Sequence, residues 1–194
     1  LRKIYEDGLD LHQLTAAAMA GVDPATVTKE QRDRAKPVNF GSIYGMGAAG
    51  LAATAWNGYR VEMTIQEADA ALRAFFSNYP ALKRWMHHHA DRCQQRRRIV
   101  IGAGRVLEGA WEPEGIRYTQ CCNLPVQGAC ADVMMRAVAG VYRRLRADGH
   151  DAVIVAQIHD ELILEVSETD TDAVSALLAE EMTKAFAVTF PDAP

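Results

Sequence analysis

Long apolar runs, paired cysteines and aromatic residues are what this 194-residue chain has least of. No stretch of 18 or more uncharged apolar residues occurs, so no segment reads as a membrane-spanning helix. The opening Leu1-Arg-Lys-Ile-Tyr-Glu-Asp7 has neither an apolar signal core nor an initiating Met, and the chain is expected to begin inside a longer protein. Low-complexity tracts and internal repeats are missing, which sets aside disordered and solenoid classes. The four cysteines, Cys93, Cys121, Cys122 and Cys130, make no C-x-x-C pair. They read as small core residues of a reducing, cytoplasmic protein rather than as a disulfide framework. His87-His88-His89 resembles a metal tract, but successive helical residues point about 100° apart and cannot converge on one ion. A helix-surface triplet is the expectation.

What is present is unevenly spread. The net charge of −4 conceals a basic body, residues 29–146, with 18 Lys and Arg against 10 Asp and Glu. Residues 147–194 carry 1 against 11. Sixteen of the 21 cations are Arg, the side chain suited to bidentate phosphate or carboxylate contacts.

The patterning predicts a mainly helical α+β chain. An Ala-rich helix covers 9–20, and Thr28-Lys-Glu-Gln31 is a capping box opening a helix that runs to about Tyr44. Gly45, Gly47 and Gly50 punctuate the segment beyond it. Thr64-Ile-Gln-Glu67 caps a helix to about Asn78, and 81–97 forms another, ending in Arg96-Arg97-Arg98. Residues 99–107 read as a Gly-turned hairpin, 125–146 as a helix, and 170–187 as the last helix. Between these, β-branched Ala152–Ile158 and Glu161–Val166 form strands joined only by His159-Asp160, a tight hairpin whose alternation sends apolar side chains to a core.

Two constellations carry chemistry. Arg32, Lys36, Phe40 and Tyr44 recur every four residues and so form one slowly turning stripe. Cations at a helix N-terminal end, where the dipole is already positive, suit a polyphosphate, and flat rings further on suit a base and sugar. A solvated cationic end beside two core aromatics is an equally open reading. In Gln157-Ile-His-Asp-Glu161 two adjacent carboxylates at a rigid strand end suit Mg²⁺, although Asp is also common in ordinary turns.

Taken together, these segments resemble family A (DNA polymerase I-like) DNA polymerases. Arg32-Asp-Arg-Ala-Lys-Pro-Val-Asn-Phe-Gly-Ser-Ile-Tyr-Gly45 is similar to the family's motif B, and Gln157-Ile-His-Asp-Glu-Leu-Ile-Leu-Glu165 to its motif C. Asn123-Leu-Pro-Val-Gln-Gly128 resembles the N-x-P-x-Q-G segment, and Asp10-Leu-His12 the D-[IL]-H element. The resemblance implies a fingers-like nucleotide-binding lobe over 1–118, with helix 28–45 and hairpin 99–107. It implies a partial palm over 119–194, with helix 125–146, hairpin 152–166 and helix 170–187.

By the same resemblance, Arg32, Lys36 and His12 hold the triphosphate, Phe40 packs on sugar and base, and Tyr44-Gly45 lines the base-pair pocket. Asn123, Gln127, Gln157, His159 and Arg117 contact primer-template DNA, Arg117 standing in for an Arg that many relatives carry near Tyr118-Thr119. Asp160 and Glu161 ligate Mg²⁺ and, with Lys36, form the catalytic set of a two-metal phosphoryl transfer from dNTP to a primer 3′-hydroxyl. A second Asp, on the family's D-Y-S-x-I-E strand, is not in the sequence. The chain is thus expected to be a monomeric fragment that needs the rest of the polymerase, lacks the full two-ion site and is inactive alone. Pro37 raises the question of a kink in the motif B helix. The alternatives are a non-catalytic nucleotide- or DNA-binding module and a helical protein docking an acidic partner through Arg96–Arg98. A nuclease is disfavoured by too few carboxylates.

Overall fold

A computed structural model of the chain describes residues 1–102, 104–108 and 114–193. It contains helices α1 (Arg2–Glu6), α2 (Leu11–Ala20), α3 (Lys29–Ile43), α4 (Ala48–Tyr59), α5 (Ile65–Asn78), α6 (Pro80–Arg96), α7 (Tyr118–Asp148) and α8 (Thr171–Thr189). Strands β1 (Arg98–Val100) and β2 (Val106–Glu108) form one two-stranded sheet, and β3 (Ala152–Ile158) and β4 (Glu161–Val166) another. The mainly helical α+β class is therefore present. Among the described residues no helix is long and apolar enough to cross a membrane.

Contacts divide the chain into two units. The first takes residues 1–99 and 107–124, the second 100–106 and 125–193. In the first, α3 and α5 start where the sequence places them, because both capping boxes close: Gln31 N–H donates to Thr28 Oγ1 and Thr28 N–H to Gln31 Oε1, with the same exchange between Thr64 and Glu67. Val38, Leu51, Ala68, Ala71 and Phe75 make the core joining α3, α4 and α5. Full burial of a side chain such as Phe75 contributes about 3 kcal/mol. Around Ile99, Ile116 and Cys121, a second cluster packs against Ala90 and Cys93 of α6.

Several expectations need correction. α4 occupies a segment read as glycine punctuation. Gly50 lies within it, and its buried Leu51 and Ala55 supply the tertiary packing that outweighs poor glycine propensity. Helix α7 begins at Tyr118, seven residues before the expected start, and carries Pro125 inside it. At its start Arg117 N–H donates to Gln120 Oε1, and burial of Cys121 and Cys122 holds the added turns in place. Cys93, Cys121 and Cys122 are buried as expected, whereas Cys130 is exposed. The turn of the expected 99–107 hairpin includes residue 103, outside the described residues.

In the second unit Val141 and Leu145 of α7, Val174 and Leu177 of α8, and Ala152, Ile154, Leu162, Leu164 and Val166 of the hairpin form one cluster. Gly140 permits this approach, since a Cβ there would overlap the buried Glu181 carboxylate. Glu181 Oε1 is itself met by Arg144 Nη1 at 3.3 Å and Lys184 Nζ at 3.4 Å. The β3–β4 register runs Ala152↔Val166, Val153↔Glu165, Ile154↔Leu164, then Ala156↔Ile163 and Ile158↔Glu161. A bulge at Val155 breaks the strict alternation expected of β3. Beyond it, Ala156 and Ile158 share the outer face, and Ile158 is half exposed instead of in the core.

Candidate nucleotide and metal site

In the first unit the nucleotide candidates lie along α3 from Arg32 to Tyr44, where the N-terminal end of α2 meets it. Asp10 caps α2 by accepting from the His12 and Gln13 N–H groups at 2.8 and 3.1 Å. Its other carboxylate oxygen accepts from Arg32 Nε at 2.7 Å, so α2's cap and α3's first cation hold each other. Burial raises the Asp10 carboxyl pKa, but the Arg32 hydrogen bond and the two backbone donors outweigh it and hold it below the ordinary value. Arg32 spends only Nε on this pair, which leaves its terminal nitrogens for another anion. Lys36 is held differently, by Asp33 Oδ1 at 2.7 Å on the same half-exposed helix face. Such a pair contributes little and releases readily.

Asn39 is the residue that sequence reasoning missed. It is 1% exposed, accepts from Thr15 Oγ1 at 2.7 Å and meets His12 Nδ1 through Nδ2 at 2.7 Å. With its carbonyl occupied by the Thr15 hydroxyl, its amide must donate to His12. Nδ1 then carries the lone pair and Nε2 the proton. Burial lowers the His12 pKa, Arg32 and Lys36 add to the effect, and Asp10 opposes it. The site thus presents a neutral imidazole. The signal was available, since Asn39 lies on the buried stripe of Ala35, Val38 and Ser42 and so needs partners.

The aromatic part of the stripe is intact. Pro37 is buried within α3 without ending it. The Phe40 ring lies 6.0 Å from His12 and 6.4 Å from Tyr44, and is 43% exposed. Gly45 follows with φ +74°, and a Cβ there would come within 2.8 Å of the Tyr118 ring. Asn123 also lies in this unit, its Oδ1 buried without a hydrogen-bond partner among the described residues, and Arg117 is exposed at the start of α7.

Gln127, Gln157, His159, Asp160 and Glu161 belong to the second unit, all exposed. His159 adopts φ +54°, a left-handed conformation that His tolerates better than most residues but that still costs energy. This sharp turn puts Asp160 at the hairpin tip and Glu161 on the outer face opposite Ile158. Gln157 Nε2 reaches the His159 carbonyl at 3.5 Å. The paired carboxylates are hard oxygen donors suited to one side of a Mg²⁺ shell. Among the described residues no cluster of three or more His, Cys, Asp or Glu could by itself enclose an ion.

Comparison with known proteins matches the chain as a whole to one family. The family model described as DNA polymerase family A covers residues 1–191. DNA polymerase I of Aquifex aeolicus is 32% identical over 190 residues, which are 98% of this chain and 32% of that protein. The thermostable DNA polymerase I of Thermus filiformis is 34% identical over 197 residues, 98% of this chain and 23% of that one. A solved structure of the POL domain of Pol1 from M. smegmatis, in complex with DNA primer-template and dNTP, matches with a TM-score of 0.79 at 26% identity. The match covers 95% of this chain and 33% of that one. The chain thus spans a third or less of the length of these relatives.

Proposed function

The chain belongs to DNA polymerase family A, and on that premise we propose that it supplies the nucleotide grip and part of the catalytic centre of a DNA-directed DNA polymerase. In this reading residues 1–118 are a fingers-like lobe and residues 119–194 a partial palm. Its substrates are deoxynucleoside triphosphates and primer-template DNA, and its other partner is the rest of the polymerase chain. The observation that carries the reading is the interlocked α2–α3 end: two cations and a neutral imidazole beside an exposed ring.

Arg32, pinned by Asp10, turns its free guanidinium nitrogens to the phosphates. Lys36 exchanges its Asp33 partner for the triphosphate, and His12 donates from Nε2 to a phosphate oxygen. Phe40 offers its face to sugar and base, and Tyr44-Gly45 flanks the pairing base. Asn123, Gln127, Gln157, His159 and Arg117 face the DNA. Minor-groove acceptors are nearly alike for every correct pair, so contacts there check shape without reading sequence. As the primer 3′-hydroxyl gives up its proton to water, its oxygen bonds to the α-phosphorus and the bond to pyrophosphate breaks, and Lys36 neutralises or protonates the departing pyrophosphate. Asp160 and Glu161 would hold divalent cations, which supply activation of the attacking hydroxyl and stabilisation of the phosphorane. With this single carboxylate pair the chain is inactive by itself. Its buried thiols fit a reducing, cytoplasmic setting.

The test is Mg²⁺-dependent binding of a fluorescent dNTP. Lys36→Ala is expected to weaken it at least tenfold, and an unchanged affinity overturns the nucleotide reading. Joined to a family A segment that brings the D-Y-S-x-I-E carboxylate, the chain should extend a primer, and Asp160→Ala should abolish the extension.

A further inference from the structure

Helix α6 has two faces, and among the described residues only one of them packs into the fold. Met86, Ala90 and Cys93 are buried. On the opposite side Arg84, Trp85, His88, Arg92 and Arg96 are all exposed, and the helical repeat brings them onto one face. The row from Arg84 to Arg96 extends about 18 Å along the axis. Among the described residues Arg84, Arg92 and Arg96 enter no ion pair, whereas Arg32, Lys36, Arg105 and Arg144 each have a carboxylate partner. The one acidic residue of α6 is Asp91, and the chain continues past the helix into Arg97-Arg98.

Trp85 stacks on His89 with ring centroids 5.0 Å apart and planes 11° from parallel. His89 is anchored beneath, 3.3 Å from Cys93 Sγ. Burial and the neighbouring Arg92 lower its pKa, so the imidazole is neutral and the pair forms a flat, apolar step among the arginines. Arginines alone would serve a duplex, an acidic protein or a single strand equally. A stacked indole with its outer side exposed adds something only for a ligand with open ring faces. A duplex hides its base faces, whereas an unpaired strand offers them beside its phosphates.

We propose that the outer face of α6 is a single-stranded DNA track, with Arg84, Arg92 and Arg96 on the phosphates and the Trp85–His89 stack as a platform for a base. The strand is the unpaired template, an identification that rests on the polymerase reading. The track itself does not depend on the Lys36 site.

The experiment is fluorescence anisotropy of a labelled oligothymidylate of about 16 nucleotides, within the usual single-strand site range, bound to the full chain over a range of salt. Trp85→Ala, which leaves the charge unchanged, is expected to weaken binding about tenfold, and Trp85→Phe to restore most of the loss. The triple variant Arg84→Gln, Arg92→Gln, Arg96→Gln is expected to lower the slope of log affinity against log salt by about 2, from three lost phosphate contacts. Each altered side chain is exposed, and circular dichroism of each variant verifies the fold. The proposal is overturned if the parent chain binds no oligothymidylate or if both variants bind like the parent. It is also overturned if polyglutamate or a blunt duplex binds as tightly as the oligonucleotide with equal sensitivity to Trp85→Ala. Lys36→Ala should lose dNTP but keep the oligonucleotide. If dNTP binding survives Lys36→Ala, the nucleotide reading fails while the track stands.

Discussion

The α2–α3 end of the first unit and the β3–β4 tip of the second hold their candidate residues by opposite means. At the α2–α3 end, each polar group leans on a neighbouring element: Asp10 on Arg32, and His12 on Asn39, which in turn is held by Thr15. At the hairpin tip, Asp160 and Glu161 are aimed chiefly by backbone, through a left-handed His159 and a bulge at Val155. The first arrangement is rigid only while two helices stay docked. The second survives wherever the ladder does, and leaves its carboxylates wet and ready for an ion. A side chain that must select a protonation state benefits from the first kind of support, and one that must meet a hydrated cation benefits from the second.

The sharpest way to break this comparison is at Asn39. Asn39→Ala strands the Thr15 hydroxyl and removes the donor to His12 inside a sealed contact, and should cost about 2–3 kcal/mol in urea unfolding. If the three groups act as one network, Thr15→Val added to Asn39→Ala should cost much less than Thr15→Val alone. Strict additivity would show that the α2–α3 end is no more interlocked than the hairpin. Next in size is Gly45→Ala, which forces a Cβ into a positive-φ position against the Tyr118 ring and should cost about 1–3 kcal/mol in the same unfolding measurement.

How much of this was legible beforehand divides along the same line. Local rules announced local features: both capping boxes, the Ala152–Ile158 and Glu161–Val166 strands and the two-residue turn sit where their sequences put them. The stripe of Arg32, Lys36, Phe40 and Tyr44 was visible because it needs only a helical repeat. What tertiary contacts decide stayed hidden. Gly50 looked like a break until Leu51 and Ala55 had a core to enter, and Pro125 looked like a helix start because burial of Cys121 and Cys122 leaves no local mark. The bulge was hidden too, since Val155 is as β-branched as its neighbours. Asn39 was readable in principle, but its partners Thr15 and His12 lie 24 and 27 residues away.

Acid should separate the two units more gently. Because the His12 pKa is lowered on folding, the unfolded chain takes up the extra proton first. Its contribution is complete above the ordinary value of 6.5 and is lost as pH falls from there toward the folded value. In the second unit, the His150 hydrogen bond and the Asp151 N–H hold the Asp170 carboxyl below its ordinary 3.8, so its contribution persists above that value and fails only as pH falls through the lower, folded one. Hydrogen exchange corrected for intrinsic rates should therefore show α2 and α3 loosening as pH falls below 6.5, while β3, β4 and α8 hold until pH falls below 3.8. His12→Gln should remove the early loosening, and simultaneous loss of protection in both units would count against a half-buried neutral His12.

The smallest expected effect is the most discriminating. Asp160 takes part in no ion pair among the described residues, is exposed at the tip, and has a neighbour, His159, that carries the strained turn for it. Asp160→Ala should therefore change unfolding stability by less than about 0.5 kcal/mol, with the β3–β4 register intact by amide chemical shifts. His159→Gly, which relieves the left-handed strain, should stabilise the hairpin slightly while leaving the carboxylates less firmly aimed. If Asp160→Ala instead destabilised the chain as much as Asn39→Ala, the carboxylate would be a structural member of the turn. The contrast between a site braced by packing and one presented by backbone would then be lost.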